Sequence, residues 1–236
     1  MDYIEKNIAR FEDVIGYIFK NKTYIKTALT HSSYANEMKT KKIEAPYNER
    51  LEFLGDSVLS IIVSEHIFSD YKKFPEGELT KIRANVVCEK TLAKLARSIN
   101  LGEFLLLGKG EELGGGRARE SILADAFEAL LAAIYLDSDN DKEVVADFLM
   151  PIIEPEIIGY VSSGMVTDYK TELQQIVQQA SGERLEYVLV GESGPDHEKV
   201  FEIEARLNSN VIGHGKGKSK RQAEQNAARE ALGYFK

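Results

Sequence analysis

Asn48-Glu49-Arg50-Leu51-Glu52-Phe53-Leu54-Gly55-Asp56-Ser57 sets three carboxylates, Glu49, Glu52 and Asp56, into a segment that is otherwise building a hydrophobic core. At about 100° per helical residue the three acids fall within roughly 60° of one another on the helix wheel. Leu59 and Val63 continue that stripe, and Val58, Ile61 and Ile62 fill the other side. A helix apolar nearly all round is a buried helix. Carboxylates in such surroundings are costly unless paired or bound to a cation, and a cation is the expected reason for keeping them.

A second acid pair lies at Asp125 and Glu128, in Ala124-Asp125-Ala126-Phe127-Glu128-Ala129. Residues i and i+3 are neighbours on a helix surface. Ser121 and Ala132 share that face, while Phe127, Leu130 and Ile134 lie opposite. Small residues beside the acids let another helix approach closely, and the obvious partner carries Glu52 and Asp56. Four clustered anions cannot all ionise without compensation. Oxygen donors with no histidine or thiolate suit Mg²⁺, with Mn²⁺ as a substitute. The chemistry implied is metal-assisted phosphodiester hydrolysis. The plain alternative is a pair of solvated acidic faces. A di-iron carboxylate bundle needs Glu-x-x-His pairs, but Gly55 and Leu131 stand where those histidines would be.

The rest of the first part also reads as helices. Residues 2–20 carry Ile4, Ile8, Phe11, Ile15 and Ile18 at helical spacing. Residues 48–70 form the acid-bearing helix, and Glu78–Ser98 is amphipathic after the break at Pro75-Glu76-Gly77. Lys109 to Arg119 reads as a loop around Gly114-Gly115-Gly116, either a mobile surface loop near substrate or a simple connection. Ser121–Leu136 is an alanine-rich packed helix, and residues 141–158 give one or two short helices interrupted by Pro151 and Pro155. His31 reads as a packed, hydrogen-bonded histidine at a helix end, with a catalytic role as the sharper alternative. His66 and Cys88 read as structural.

Gly159–Thr167 is weakly patterned and reads as a linker between residues 1–158 and 168–236. Beyond it the period changes. Asp168–Ala180 is helical, Glu186–Gly191, Val200–Leu207 and Val211–Lys216 alternate as strands, and Asn208-Ser209-Asn210 is a tight hairpin connection. Ser219–Leu232 closes as a helix. The expected architecture is an all-α domain followed by a small α+β domain of order α-β-β-β-α.

The whole chain has 236 residues, 43% hydrophobic, with a net charge of −8. Residues 1–167 hold 20 Lys and Arg against 27 Asp and Glu, and residues 168–236 hold 10 against 11. Any polyanion contact must therefore rest on local clusters rather than on the global field. One such cluster is Gly215-Lys216-Gly217-Lys218-Ser219-Lys220-Arg221 at the start of the last helix, where free N–H groups and the helix dipole favour anions. Thr171, Gln174, Gln175 and Gln178 form a polar uncharged stripe on the first helix of the domain, and Gly194-Pro195-Asp196-His197 forms a loop between strands. Amide side chains suit base edges and 2′-hydroxyls and lysines suit phosphates, which is how duplex RNA is read. A single cysteine, Cys88, excludes an internal disulfide and a Cys-based zinc site. No apolar run approaches the roughly 20 residues that span a bilayer. Met-Asp-Tyr-Ile-Glu-Lys lacks the features of a secretory signal. A soluble cytoplasmic protein is expected.

The Asn48–Leu59 segment resembles the signature of the ribonuclease III family, Gly114–Ala133 resembles its second block and Ala28–Tyr34 its N-terminal motif. Residues 168–236 resemble a double-stranded-RNA-binding domain. The resemblance implies a Mg²⁺-dependent endonuclease domain followed by that binding module, acting on double-stranded RNA as a homodimer. It implies Glu52, Asp56, Asp125 and Glu128 as catalytic acids and metal ligands, with Glu49 and Glu78 as secondary contacts in the catalytic valley. Phe53 resembles a residue that plugs a socket in the other subunit. Thr171, Gln174, Gln178, His197, Lys218, Ser219 and Lys220 fall where the binding domain meets RNA. Gln175 departs from a position often acidic in relatives. The family further implies 5′-phosphate and 3′-hydroxyl ends, short 3′ overhangs, and processing of ribosomal and other structured precursors. A duplex-binding regulator that no longer cuts is the alternative, and a hydrolase of small phosphates a third reading.

Overall fold

The computed structural model describes residues 3–163, 169–178, 183–195 and 199–235. The chain divides into two compact units, Met1–Gly159 and Tyr160–Lys236.

The first unit is helical. α1 (Tyr3–Ile15) ends where Gly16 takes a positive φ of 69°. The hydrophobic phase changes there, so Ile18, expected inward, is 76% exposed and Phe19 is buried instead. Two buried carboxylates hold the turn. Glu12 accepts from the Phe19 N–H (2.8 Å), and Asp137 accepts from the Lys20 and Asn21 N–H groups (2.8 and 2.7 Å). α2 (Lys22–Ala28) and α3 (Ser32–Thr40) follow, capped by Asn21 and His31.

α4 (Glu49–Asp70) is the central helix. It packs Leu51, Val58, Leu59, Ile62, Val63 and Ile67 inward. It is not buried all round, however: Phe53 is 79%, Phe68 72% and Ile61 48% exposed. The expected single amphipathic run after it breaks at Val87-Cys88 into α5 (Glu76–Val86) and α6 (Glu89–Ser98). Thr91 donates to the Asn85 carbonyl across that corner (3.1 Å). α7 (Leu101–Phe104) is one turn.

The glycine-rich segment is a built corner rather than an open loop. α8 (Lys109–Leu113) and a 3₁₀ turn at Gly116–Ala118 are tied by the ion pairs Arg119–Glu111 and Arg117–Glu112. Arg117 also donates to the Gly102 and Leu105 carbonyls (2.9 and 2.8 Å).

α9 (Glu120–Asp137) is the most deeply buried helix, with Phe127, Leu130, Leu131 and Ile134 fully inside. α10 (Lys142–Ser162) runs unbroken through both prolines. Its buried seam, Val145, Leu149, Ile153 and Ile157, repeats every fourth residue, and the prolines lie on the opposite, exposed side. The carbonyls they leave unbonded, those of Asp147 and Pro151, therefore face water, and packing overrides the breaker. Gly159–Ser162, expected in the linker, forms the last turn of this helix.

The second unit has the α-β-β-β-α order. α11 (Tyr169–Gln178) precedes β1 (Leu185–Ser193), β2 (Val200–Leu207) and β3 (Asn210–Gly217), an antiparallel sheet in sequential order, and α12 (Lys220–Leu232) closes it. Asn208 and Ser209 both take positive φ (49° and 73°), the geometry of a tight two-residue hairpin. α12 lies against the β3 backbone: a Cβ on Gly215 would stand 2.0 Å from the Ala223 carbonyl oxygen. Ala223, Ala227 and Ala231 supply the matching small face. Among the described residues no helix is long and apolar enough to cross a membrane.

Candidate active site

The site is built on the contact between α4 and α9. A Cβ on Gly55 would lie 1.9 Å from the Glu128 carbonyl oxygen, so the two backbones touch there and only glycine fits. Ala124 and Ala132, both buried, share the Glu128 face of α9. Glu52 and Asp56 flank Gly55 on one helix, and Asp125 and Glu128 occupy adjacent turns of the other.

The electrostatics record the crowding. Burial, then Asp56, Glu52 and Asp125 in that order, push the Glu128 carboxyl up to about 8. Burial, then Asp125 and Glu49, raise Glu52. Burial and Glu89 raise Asp125, with a smaller upward push from Glu49, while His31 pulls it down. Among the described residues none of the four acids has an arginine, lysine or hydrogen-bond partner. The acids that are paired for structure look different: Glu12 sits with Lys22, Glu111 with Arg119 and Glu112 with Arg117.

Glu49 lies within reach of Glu52 and Asp125. Glu78 stands in the first turn of α5, half-buried, and is not among the groups that shift Glu52, Asp125 or Glu128. Glu89 takes part instead and escaped the sequence reading. The corner at Val87-Cys88 makes it the first residue of α6, and α6 packs on α9 beside Asp125. The β-branched pair Val86-Val87 was the local hint of that break.

Among the described residues no three His, Cys, Asp or Glu side chains converge into a ready-made ion cage. The donor chemistry nonetheless suits a hard divalent cation: four carboxyl groups with no arginine or lysine partner among the described residues, and a Glu128 carboxyl pushed up by burial and by the other three.

In the second unit, Thr171, Gln174, Gln175 and Gln178 are all exposed on α11, opposite Leu173 and Val177. Lys170 bonds through its N–H to Gln225 (3.2 Å) and through Nζ to Glu224 (2.8 Å), which sets the starts of α11 and α12 side by side. Ser219 caps α12, accepting from the Gln222 N–H. The four cations there are not equivalent. Lys216 pairs with Glu202 (2.5 Å), and Lys220 with Glu192 (3.7 Å) while lying over the Phe201 ring. Lys218 and Arg221 are in no ion pair among the described residues. His197 lies outside the described residues.

A helical unit carrying a cluster of unpaired acids, followed by an α-β-β-β-α module with a basic helix start, defines a two-part enzyme acting on nucleic acid. Residues 21–153 match a family model described as ribonuclease-III-like, and residues 169–234 match the double-stranded RNA binding motif. The chain is 50% identical over 223 residues to ribonuclease 3 of Caldanaerobacter subterraneus subsp. tengcongensis, covering 94% of this chain and 95% of that one. It is 46% identical over 226 residues to ribonuclease 3 of Clostridium perfringens, covering 96% and 93%. Among solved structures, the nuclease domain of ribonuclease III from Campylobacter jejuni is 42% identical with a TM-score of 0.57, covering 64% of this chain and 96% of that one. Dicer from Pichia stipitis is 26% identical with a TM-score of 0.50, covering 92% and 95%. The chain belongs to the ribonuclease III family and is an endonuclease specific for double-stranded RNA.

Proposed function

We propose that this chain is a Mg²⁺-dependent homodimeric enzyme that cuts structured RNA precursors, ribosomal ones included, in the cytoplasm. Residues 1–158 would supply the nuclease domain and residues 168–236 the RNA-binding domain. The observation that carries the reading is the Glu128 carboxyl pushed up to about 8 by burial first and then by Asp56, Glu52 and Asp125, with no arginine or lysine paired to any of the four.

Glu52, Asp56, Asp125 and Glu128 are the ligand set, and Mn²⁺ can replace Mg²⁺ by the same oxygen chemistry. The bound ion lowers the pKa of a water and stabilises charge on the phosphate. Glu128 would have to be ionised to serve as a ligand, and the α4–α9 contact would hold the four acids together. Glu49 and Glu89 add negative charge at the rim. Attack of water on phosphorus with the 3′ oxygen leaving gives 5′-phosphate and 3′-hydroxyl ends.

One such site cuts one strand. The exposed stripe of α4, Phe53, Ile61 and Phe68 with small serines between, supports a second copy packing there, which gives one site per strand. Two sites offset along a duplex leave short 3′ overhangs. The nuclease domain of ribonuclease III from Campylobacter jejuni has structural flexibility in a region involved in dimer formation. In the second domain, Thr171, Gln174 and Gln178 would meet the minor groove and Lys218, Ser219 and Lys220 the phosphates.

The test is long duplex RNA incubated with Mg²⁺ or with chelator, using wild type and Glu128→Gln. Cleavage that requires both the metal and Glu128 supports the reading. Binding without cleavage at any metal concentration replaces it with a regulator.

A further inference from the structure

The lysines around the start of α12 are held on two different faces of the sheet. Residues directly opposite each other in an antiparallel ladder share a face. Phe201 pairs with Gly217 and Ile203 with Gly215. Theirs is the face that α12 covers, since a Cβ on Gly217 or Gly215 would run into the Ala223 main chain. Glu192 pairs with Phe201 and so belongs to the same face. Glu202 and Lys216 pair with each other on the opposite one.

Lys220, the first residue of α12, reaches the helix-covered face. Its Nζ lies 5.7 Å from the centroid of the Phe201 ring and 3.7 Å from Glu192 Oε1. Phe201 packs against the core of the unit, so its ring steadies the lysine with or without the carboxylate. The ion pair itself adds little to the fold, because both side chains keep much of their contact with water. Its consequence lies elsewhere. A carboxylate offers an ammonium the same charged oxygen acceptors as a phosphate. RNA that takes Lys220 must displace Glu192, and the freed carboxylate is left close to the incoming anion, where like charges repel.

We propose that Glu192 sets the affinity of the RNA-binding unit, its carboxylate competing with an RNA phosphate for Lys220 Nζ. The inference rests on the reading of Lys218, Ser219 and Lys220 as phosphate contacts. Duplex RNA then binds less tightly than the cations at this helix start would give, and a cut duplex leaves sooner.

The experiment measures binding of the full chain to duplex RNA in chelator across a salt series. Glu192→Gln keeps the size of the side chain and removes its charge. At about 50 mM salt this variant should bind about two- to fivefold more tightly than wild type, and the gain should fade by about 500 mM. The gain should disappear when Lys220→Ala is already present. In the Glu192→Gln background, Lys220→Ala should lower the slope of log affinity against log salt by about 0.9, as much as Lys218→Ala does. Glu202→Gln removes the same charge from the opposite face and should leave affinity at the wild-type level. Thermal melts, expected unchanged, show that each variant is folded. Wild-type affinity in Glu192→Gln would overturn the proposal. So would an equal gain in the Lys220→Ala background or from Glu202→Gln, since either would make the effect one of net charge. Wild-type affinity in both Lys218→Ala and Lys220→Ala would show instead that the start of α12 does not meet phosphate, so that the underlying reading fails first.

Discussion

Glu128→Gln removes the carboxyl on which the repulsion of the site converges, and its effect on stability has a defined sign and pH window. In the folded chain the group titrates at about 8 rather than 4.5, through burial first and then Asp56, Glu52 and Asp125. Between those values the folded state keeps a proton that the unfolded chain has released. Stability therefore falls as pH rises through that window and levels off above it. Taken at full strength the shift corresponds to about 5 kcal/mol. Glu128 is only partly buried, and solvent screening and relaxation reduce this to about 2 kcal/mol. The Gln variant is free of that loss. In chelator it should match wild type at pH 5 and melt about 4–8 °C higher at pH 9. Calorimetric melts of both proteins at pH 5, 6, 7, 8 and 9 make the comparison. A stability difference that stays constant across the series would refute the electrostatic account of the site. Mg²⁺ should narrow the gap at pH 9, since a ligand bound to the folded wild type stabilises it by mass action.

Gly55→Ala should cost about 3 kcal/mol and abolish Mn²⁺ binding, because the new methyl collides with the Glu128 main chain and forces α4 from α9; denaturant melts and calorimetry read both. Lys218→Ala should lower the slope of log affinity against log salt by about 0.9 on duplex RNA, and Lys220→Ala by less, because Lys220 already faces Glu192; equal slopes would show that this ion pair does not persist in solution. Phe53→Asp should convert a dimer to monomer in sedimentation and leave the melting of the monomer unchanged, since its ring is outside the core. Asp137→Asn should destabilise by about 2 kcal/mol, because it weakens the acceptor for Tyr17 Oη and two backbone N–H groups.

The acids were legible in the sequence because helical spacing alone gathers Glu52 with Asp56 and Asp125 with Glu128, and because small residues beside the second pair, Ser121 and Ala132, announce close packing. The strand pattern of the second unit was legible for the same reason, period two with a polar hairpin. Glu89 was not legible as a neighbour of the site. It acts on Asp125 from another helix, through a corner at Val87-Cys88 that has no periodic signature. The prolines misled because their local cost is visible in sequence while the Val145–Ile157 seam that outweighs it acts through tertiary packing. The exposed side of α4 misled because apolarity marks a surface to be covered without saying whether its own chain covers it.

The tight α4–α9 contact and the electrostatic strain of the site have one cause. Glycine at 55 and alanines on α9 let two backbones touch, and that approach is what brings four acids within reach of each other. Wider spacing would relieve the repulsion, but it would also scatter the oxygens that a divalent ion must collect. The fold resists that relaxation from the far side of α9, where Phe127, Leu130, Leu131 and Ile134 are fully enclosed. Helix separation there would open cavities, at about 24 cal/mol for each Å³ left empty. A gap of about 100 Å³ would by that measure cost about 2.4 kcal/mol, comparable to the repulsion it would release. The apolar face of α9 is thus what keeps the acid face assembled before any ion arrives, and it explains why an unpaired carboxyl near pKa 8 persists in the middle of the helical unit.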